Sequence, residues 1–209
     1  MRIRSTLGRI KRLASLRTWE YYPTHEWDRQ YATSTWTYLS GIEQLPRYAV
    51  IEGWRRRFKP EGSVLDLGCG EGVLFEQIPA AERVDYTGVD LSQVAIDAAS
   101  RKVRDTALER FICADLVTFE PTRRAAFDVI VFNEVLYYLE DPIAVLDRYR
   151  AVLARGGLII VSVFHENLKT WKSVSTLLAS QCLQTTVVHD VSSGKRWHLG
   201  LYQEPPHQP

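Results

Sequence analysis

The sequence predicts an α/β fold: a doubly wound, seven-stranded and mostly parallel sheet, finished by an antiparallel C-terminal hairpin strand. Three observations carry this. From about residue 59 short β-rich runs alternate with helical stretches five times, the pattern of a parallel sheet covered on both faces. The first run ends in a turn built on Gly68, Gly70 and Gly72. After the last helical stretch, two β-rich runs flank Ser192-Ser193-Gly194 and read as a hairpin.

In chain order, residues 1–19 carry Arg2, Arg4, Arg9, Lys11, Arg12 and Arg17, with no acid before Glu20. Met1, Ile3, Leu7, Ile10, Leu13 and Leu16 recur every three or four positions, which makes a basic amphipathic helix. It reads as a membrane-surface segment, an organelle-type presequence or a helix packed on the domain. Trp27 to Phe58 is helical and rich in aromatics, two short helices interrupted near Gly41 and Pro46. Strands are expected at Ser63 to Leu67, Asp85 to Val89, Arg110 to Cys113, Phe127 to Phe132 and Leu158 to Val163. Ser92 is a good N-cap for a helix from Gln93 to about Val103, and Asp141-Pro142 opens another that carries Ile143, Leu146, Tyr149 and Leu153. Gly156-Gly157 reads as the stop of that helix. A helix near Leu168 to Ala179 precedes the hairpin runs Gln184 to Val191 and Arg196 to Tyr202. The organisation is therefore an N-terminal helical extension over 1–58, a core over 59–203 and a polar tail over 204–209.

Bulk composition narrows the function. A formal net charge of +1 argues against a dedicated nucleic-acid binder. Cys69, Cys113 and Cys182 stand far apart with no C-x-x-C pair, so neither a disulfide framework nor a metal site is expected. No apolar run approaches the length of a membrane-spanning helix. The expectation is a cytoplasmic protein, soluble or held at a membrane surface through residues 1–19.

In open α/β sheets a ligand lies beyond the carboxyl ends of the strands, usually on the turn after the first. Here that turn is "VLDLGCGEG", with spacing G-x-G-x-G rather than the G-x-G-x-x-G of a dinucleotide site. Asp66 precedes the first glycine by two residues, where it can accept from an ammonium group or order the loop. Alone, such a turn fits a ligand loop and a tight structural turn equally. Asp90 and Asp115 then close the second and third strands. Any one such acid is often a helix cap, but three at one sheet edge are hard to ascribe to capping.

With "VLDLGCGEG", "YTGVDLS", "CADL", "FDVIVFNEVLYYLEDP" and "LARGGLIIVSVF" in this order, the chain resembles the class I S-adenosylmethionine-dependent methyltransferases over roughly Arg47 to Tyr202. The resemblance implies a Rossmann-like methyltransferase fold with S-adenosyl-L-methionine as cofactor. It also implies that Asp66, Gly68, Cys69 and Gly70 line the methionine and ribose region, Asp90 and Leu91 serve ribose and adenine, and Ala114, Asp115 and Leu116 adenine. Asn133 would meet the methionine end. "EVLYYLED" and the Arg47-Tyr48 pair look most like small-molecule methyltransferases of glycan modification, including nodulation-factor N-methyltransferases. Arg47 would then face the cofactor carboxylate as a guanidinium fork, or else be a surface arginine near a helix start.

The implied reaction is direct displacement on a small-molecule acceptor, a sugar or lipid-linked glycan hydroxyl, with N-methylation of an amino sugar or a non-catalytic cofactor-binding role as alternatives. A sugar hydroxyl must lose a proton, so a base is sought where strands four and five end. His165 and Glu134 are the candidates, while Tyr137 is better suited to position the substrate. Trp27, Tyr31, Trp36 and Tyr38 either form a lid or pack the N-terminal helices onto the domain.

Overall fold

The computed structural model describes residues 23–82, 84–121 and 127–204. The basic segment 1–19 and most of the polar tail lie outside the described residues. Seven strands form one sheet: β1 (Val64–Leu67), β2 (Tyr86–Asp90), β3 (Glu109–Cys113), β4 (Phe127–Asn133), β5 (Leu153–Phe164), β6 (Cys182–His189) and β7 (Arg196–Gln203). Their order is β3-β2-β1-β4-β5-β7-β6. β1 to β5 run parallel, and β7 lies antiparallel between β5 and β6, as the hairpin requires. The chain walks outward from β1 to β3, then returns to place β4 on the other side of β1. That reversal opens a crevice at the carboxyl ends of β1 and β4.

Helices α1 (Thr24–Ala32), α2 (Leu45–Phe58), α3 (Val73–Gln77), α4 (Gln93–Ser100), α5 (Pro142–Arg150) and α6 (Leu168–Leu177) cover the sheet. Ser92 caps α4 through its hydroxyl, and Asp141 caps α5, where Pro142 needs no backbone donor. Side chains alternate across each strand and so divide the core in two. Leu65, Leu67, Ile130, Phe132, Ile159, Val161 and Val163 pack with Leu146, Tyr149 and Val174. Val64, Val129, Val131, Leu158 and Ile160 pack with Tyr48, Ile51, Val73 and Phe75. Parity therefore sends Asp66 to the face of Val64, toward α2 and α3. Among the described residues no helix is long and apolar enough to cross a membrane.

One expectation about the fold is corrected. Gly156-Gly157 does not end the fifth helix; α5 stops at Arg150 and Leu153–Phe164 is one strand. The register jumps from Phe127↔Leu153 to Val129↔Leu158, so the glycines lie in a bulge, with Gly156 at φ +66°. A left-handed glycine serves a helix stop and a bulge equally well, which is why the sequence misleads here. The interruption expected near Gly41 and Pro46 is present: α1 ends at Ala32, and α2 begins only at Leu45, with Pro46 in its first turn.

Candidate functional site: a cavity at the β1 and β4 strand ends

The turn after β1 is held by β2. Gly68 and Cys69 both donate backbone N–H to the Val89 carbonyl, at 2.8 and 3.1 Å. Asp90 completes the clasp: Oδ2 accepts from Gly70 N at 2.8 Å and Oδ1 from Ser92 N at 3.0 Å. Gly68, Gly70 and Gly72 all have left-handed φ. The neighbours that would meet a side chain there are protein groups. A Cβ on Gly68 would come within 2.7 Å of Val135 Cβ, and one on Gly70 within 2.8 Å of the Tyr31 hydroxyl. The first two glycines thus let the turn after β4 and helix α1 close on the loop.

Asp66 is buried, and its Oδ2 accepts from the Tyr86 hydroxyl at 2.5 Å. Oδ1 has no partner among the described residues, although Asp66 lines the cavity. Burial lifts the carboxyl to about 7, against the opposing pull of the Tyr86 hydrogen bond. A buried acceptor with one oxygen unmet and facing a cavity is fitted to an incoming donor.

Across the crevice, Asn133 ends β4 and Glu134 follows with φ +62°, a strained conformation for a residue with a side chain. β5 holds it there. Glu134 N donates to the Ser162 carbonyl at 3.1 Å, and the Ser162 hydroxyl lies 2.8 Å from Asn133 Oδ1 and 3.0 Å from Glu134 Oε1, so its single hydrogen is shared. The Tyr137 hydroxyl donates to Glu134 Oε2 at 3.0 Å. Burial, then the nearby Glu134, push the Tyr137 phenol well above its ordinary range, so it keeps its proton.

Arg47 is no surface arginine. Only 1% exposed, it donates to Asn133 Oδ1 and, at 3.0 Å, to Gln44 Oε1, while its guanidinium lies 4.5 Å from the Tyr48 ring centre. Its Nε has no partner among the described residues.

The N-terminal aromatics close the cavity. Trp27 stacks on Trp36 at 6.0 Å and meets Tyr138 edge-on at 5.0 Å; Trp36 neighbours both Tyr31 and Tyr38. All of them line the space above the β1 and β4 turns, so they cover the site as well as pack the helices. α1 is fastened by Asp28, whose Oδ1 accepts from Ser92 Oγ at 2.6 Å and Val94 N at 3.3 Å. Asp28→Ala is expected to cost about 1–2 kcal/mol, because it leaves both donors unmet. Urea unfolding would measure this, and a loss within error would mean that α1 is held by its aromatics alone.

Of the residues expected to hold the cofactor, all but Ala114 line this one cavity. Ala114 instead donates its N–H to the Asp90 carbonyl at 2.9 Å, tying β3 to β2. Asp115 and Leu116 reach the cavity, and Asp115 also accepts from Val117 N at 2.8 Å. Glu134 and Tyr137 are present, but His165 is not. Its Nδ1 lies 2.9 Å from His198 Nε2 on β7, and the two rings stack. Phe164, the last residue of β5, lines the cavity, whereas His165 opens the 3-10 turn His165–Asn167 and meets His198. Sequence reading missed Asp28, Gln44 and Ser162. Gln44, three residues before Arg47 at a helix start, was within reach of a spacing argument; the Asp28–Ser92 pair is not visible without the fold.

Acids dominate the lining: Asp66, Glu71, Asp90, Asp115 and Glu134 against Arg47 and Lys195. That balance suits a ligand with net positive charge. The family profile described as a methyltransferase domain matches residues 42–208. The chain belongs to the class I S-adenosylmethionine-dependent methyltransferases. The methyltransferase is 33% identical over 111 residues to the ubiquinone biosynthesis O-methyltransferase of Psychrobacter cryohalolentis, a match covering 52% of this chain and 43% of that protein. It thus spans less than half the length of that curated relative. The N-methyltransferase NodS from Bradyrhizobium japonicum, with S-adenosyl-L-homocysteine, shares the fold at TM-score 0.74 and 21% identity, over 87% of this chain and 98% of that one. The 1,6-didemethyltoxoflavin-N1-methyltransferase of Burkholderia thailandensis matches at TM-score 0.69 and 17% identity, over 98% and 92%.

Proposed function

We propose that the methyltransferase transfers a methyl group to a hydroxyl of a small ring-shaped acceptor, a sugar or a lipid-linked glycan. The observation that carries this is Glu134, a carboxylate at the cavity wall beneath flat aromatic faces. When bound, S-adenosylmethionine supplies a methyl group already activated on a sulfonium. The unmet Oδ1 of Asp66 would take the cofactor ammonium, and Arg47 its carboxylate. Asn133 fixes Arg47 for that contact. Asp90 retains lone pairs for ribose hydroxyls beyond its two backbone bonds, and Asp115 and Leu116 flank the adenine place.

Glu134 is the base in this reading. Its Oε2 accepts from the Tyr137 hydroxyl, and its Oε1 lies 3.0 Å from the Ser162 hydroxyl, so the carboxylate is held in place at the cavity wall. Trp27, Trp36 and Tyr38 exclude water and offer faces to a sugar ring. The O-methyltransferase name of the Psychrobacter relative supports oxygen over nitrogen. A second reading, N-methylation of an amine, is favoured by the acidic lining and by the names of the two structural neighbours.

Glu134→Gln is expected to lower kcat by about a hundred- to ten-thousand-fold with little change in cofactor KM. Tyr137→Phe should cost far less, and His165→Ala should leave turnover intact. A mass-spectrometric screen over nucleotide sugars, glycolipids, phenols and amines identifies the acceptor; methylation of amines alone would overturn the oxygen reading.

A further inference from the structure

Charged groups in the cavity wall follow the order of the strands. Asp115 stands after β3, Asp90 at the end of β2, and Asp66 and Glu71 at β1 and its turn. Glu134 follows β4, and Lys195 directly precedes β7, whose antiparallel start pairs with the end of β5 at the same sheet edge. Asp66, Asp90 and Asp115 serve the cofactor in the reading above, and Arg47 is held by Asn133 and Gln44. Among the described residues, the acceptor end is thus left with the Glu134 carboxylate at β4 and the Lys195 ammonium at β7, with β5 between them.

Both charges act on Tyr38. Lys195 Nζ lies 5.2 Å from its ring centre. Its phenol is pushed up to about 12, by burial first and then by the charge of Glu134, so the hydroxyl keeps its proton. Trp36, with its ring centre 6.0 Å from that of Tyr38, lines the same wall, and its buried indole N–H meets no acceptor among the described residues. Lys195, Tyr38 and Trp36 therefore present donors to one end of the cavity, an arrangement fitted to an anion.

The hairpin fixes the backbone of Lys195. Asp190 N donates to its carbonyl at 2.9 Å, and Gly194 N to the Asp190 carbonyl at 2.8 Å. The Asp190 carboxylate is taken up within that turn by Ser192 and Ser193. Glu43 Oε1 stands 3.5 Å from Lys195 Nζ, but Glu43 does not line the cavity. That separation exceeds the roughly 2.7–2.9 Å of a charge-assisted hydrogen bond. An ammonium has several hydrogens, so Lys195 can keep Glu43 at the rim and still donate to a ligand inside.

We propose that Lys195 sets acceptor specificity by taking an anionic substituent, a carboxylate or a phosphate, of the ring-shaped acceptor whose hydroxyl faces Glu134. This rests on the hydroxyl-acceptor reading above and narrows its substrate class to acidic compounds. The test is calorimetric titration of the full chain loaded with S-adenosylhomocysteine, using probe pairs that differ in one anionic group. The pairs are para-nitrophenyl glucuronide against the glucoside, glucose phosphate against glucose, and protocatechuate against catechol. The acidic member of at least one pair is expected to bind about tenfold tighter or more, and the pair that responds tells carboxylate from phosphate. Lys195→Gln should bring that ratio to about one, and Lys195→Arg should keep most of it. Glu43→Gln should act in the opposite direction and raise acidic-probe affinity about twofold to fivefold. Equal binding within every pair, or a ratio that survives Lys195→Gln, would overturn the proposal. So would equal losses in Lys195→Gln and Glu43→Gln, which would make the pair a simple latch across the cavity mouth. An acidic probe that binds as expected yet is not methylated on oxygen would instead count against the hydroxyl reading.

Discussion

Gly68→Ala is expected to destabilise the methyltransferase by about 2–5 kcal/mol and to abolish turnover. Two costs add. At φ +75° an L side chain is strained by itself, and the new Cβ would press on Val135, 2.7 Å from that residue's Cβ. Val135 directly follows Asn133 and Glu134 and precedes the turn that carries Tyr137. Relief of the clash therefore moves Asn133, Glu134 and Tyr137, the groups proposed to face the acceptor. Val135→Ala in the same chain should recover about 1 kcal/mol, since it removes the closer Cγ2 contact but leaves the Cβ overlap and the backbone strain. Urea unfolding with and without S-adenosylhomocysteine measures both; a Gly68→Ala protein of unchanged stability would show that the turn has another conformation open to it.

Asp66→Asn is expected to separate stability from binding. The folded carboxyl titrates near 7 against 3.8 for the free group, because burial disfavours its charge. Between those values the folded chain holds a proton that the unfolded chain has released. The group's favourable contribution is thus complete below about pH 4 and lost as pH rises through about 7, on the order of 4 kcal/mol in all. Asparagine keeps the acceptor for Tyr86 and cannot titrate. Relative to wild type, the variant should gain stability as pH goes from 4 to 8, read from paired urea curves. Cofactor affinity should fall about 10- to 100-fold, the loss of one charge-assisted hydrogen bond. Unchanged affinity would remove the ammonium from Asp66, and an identical pH profile would show that the carboxyl ionises at the same pH in the folded and unfolded chains.

Which parts were legible follows from the kind of signal each residue carries. Strand β4 and the hairpin announce themselves through apolar runs and turn residues, and the five parallel strands through alternation with helices. Asp66 and Asp90 were legible because both end strands at one sheet edge, and topology alone brings such ends together. His165 was not, since the chain leaves β5 at Phe164 for a 3-10 turn, which sets His165 against His198 on β7. The Gly156-Gly157 bulge failed for the reason that two structures use the same backbone conformation. Arg47 was named from resemblance, yet its burial depends on Asn133, 86 residues away, which no local pattern encodes.

The run Asp28 to Ser92, then Asp90 to Gly70, joins helix α1 to the glycine turn through a short series of hydrogen bonds. In the proposed reading, with the cofactor on Asp90 and the acceptor under α1, a shift at either site would be passed along this series to the other. By linkage, whatever factor the cofactor adds to acceptor affinity, the acceptor must return to the cofactor.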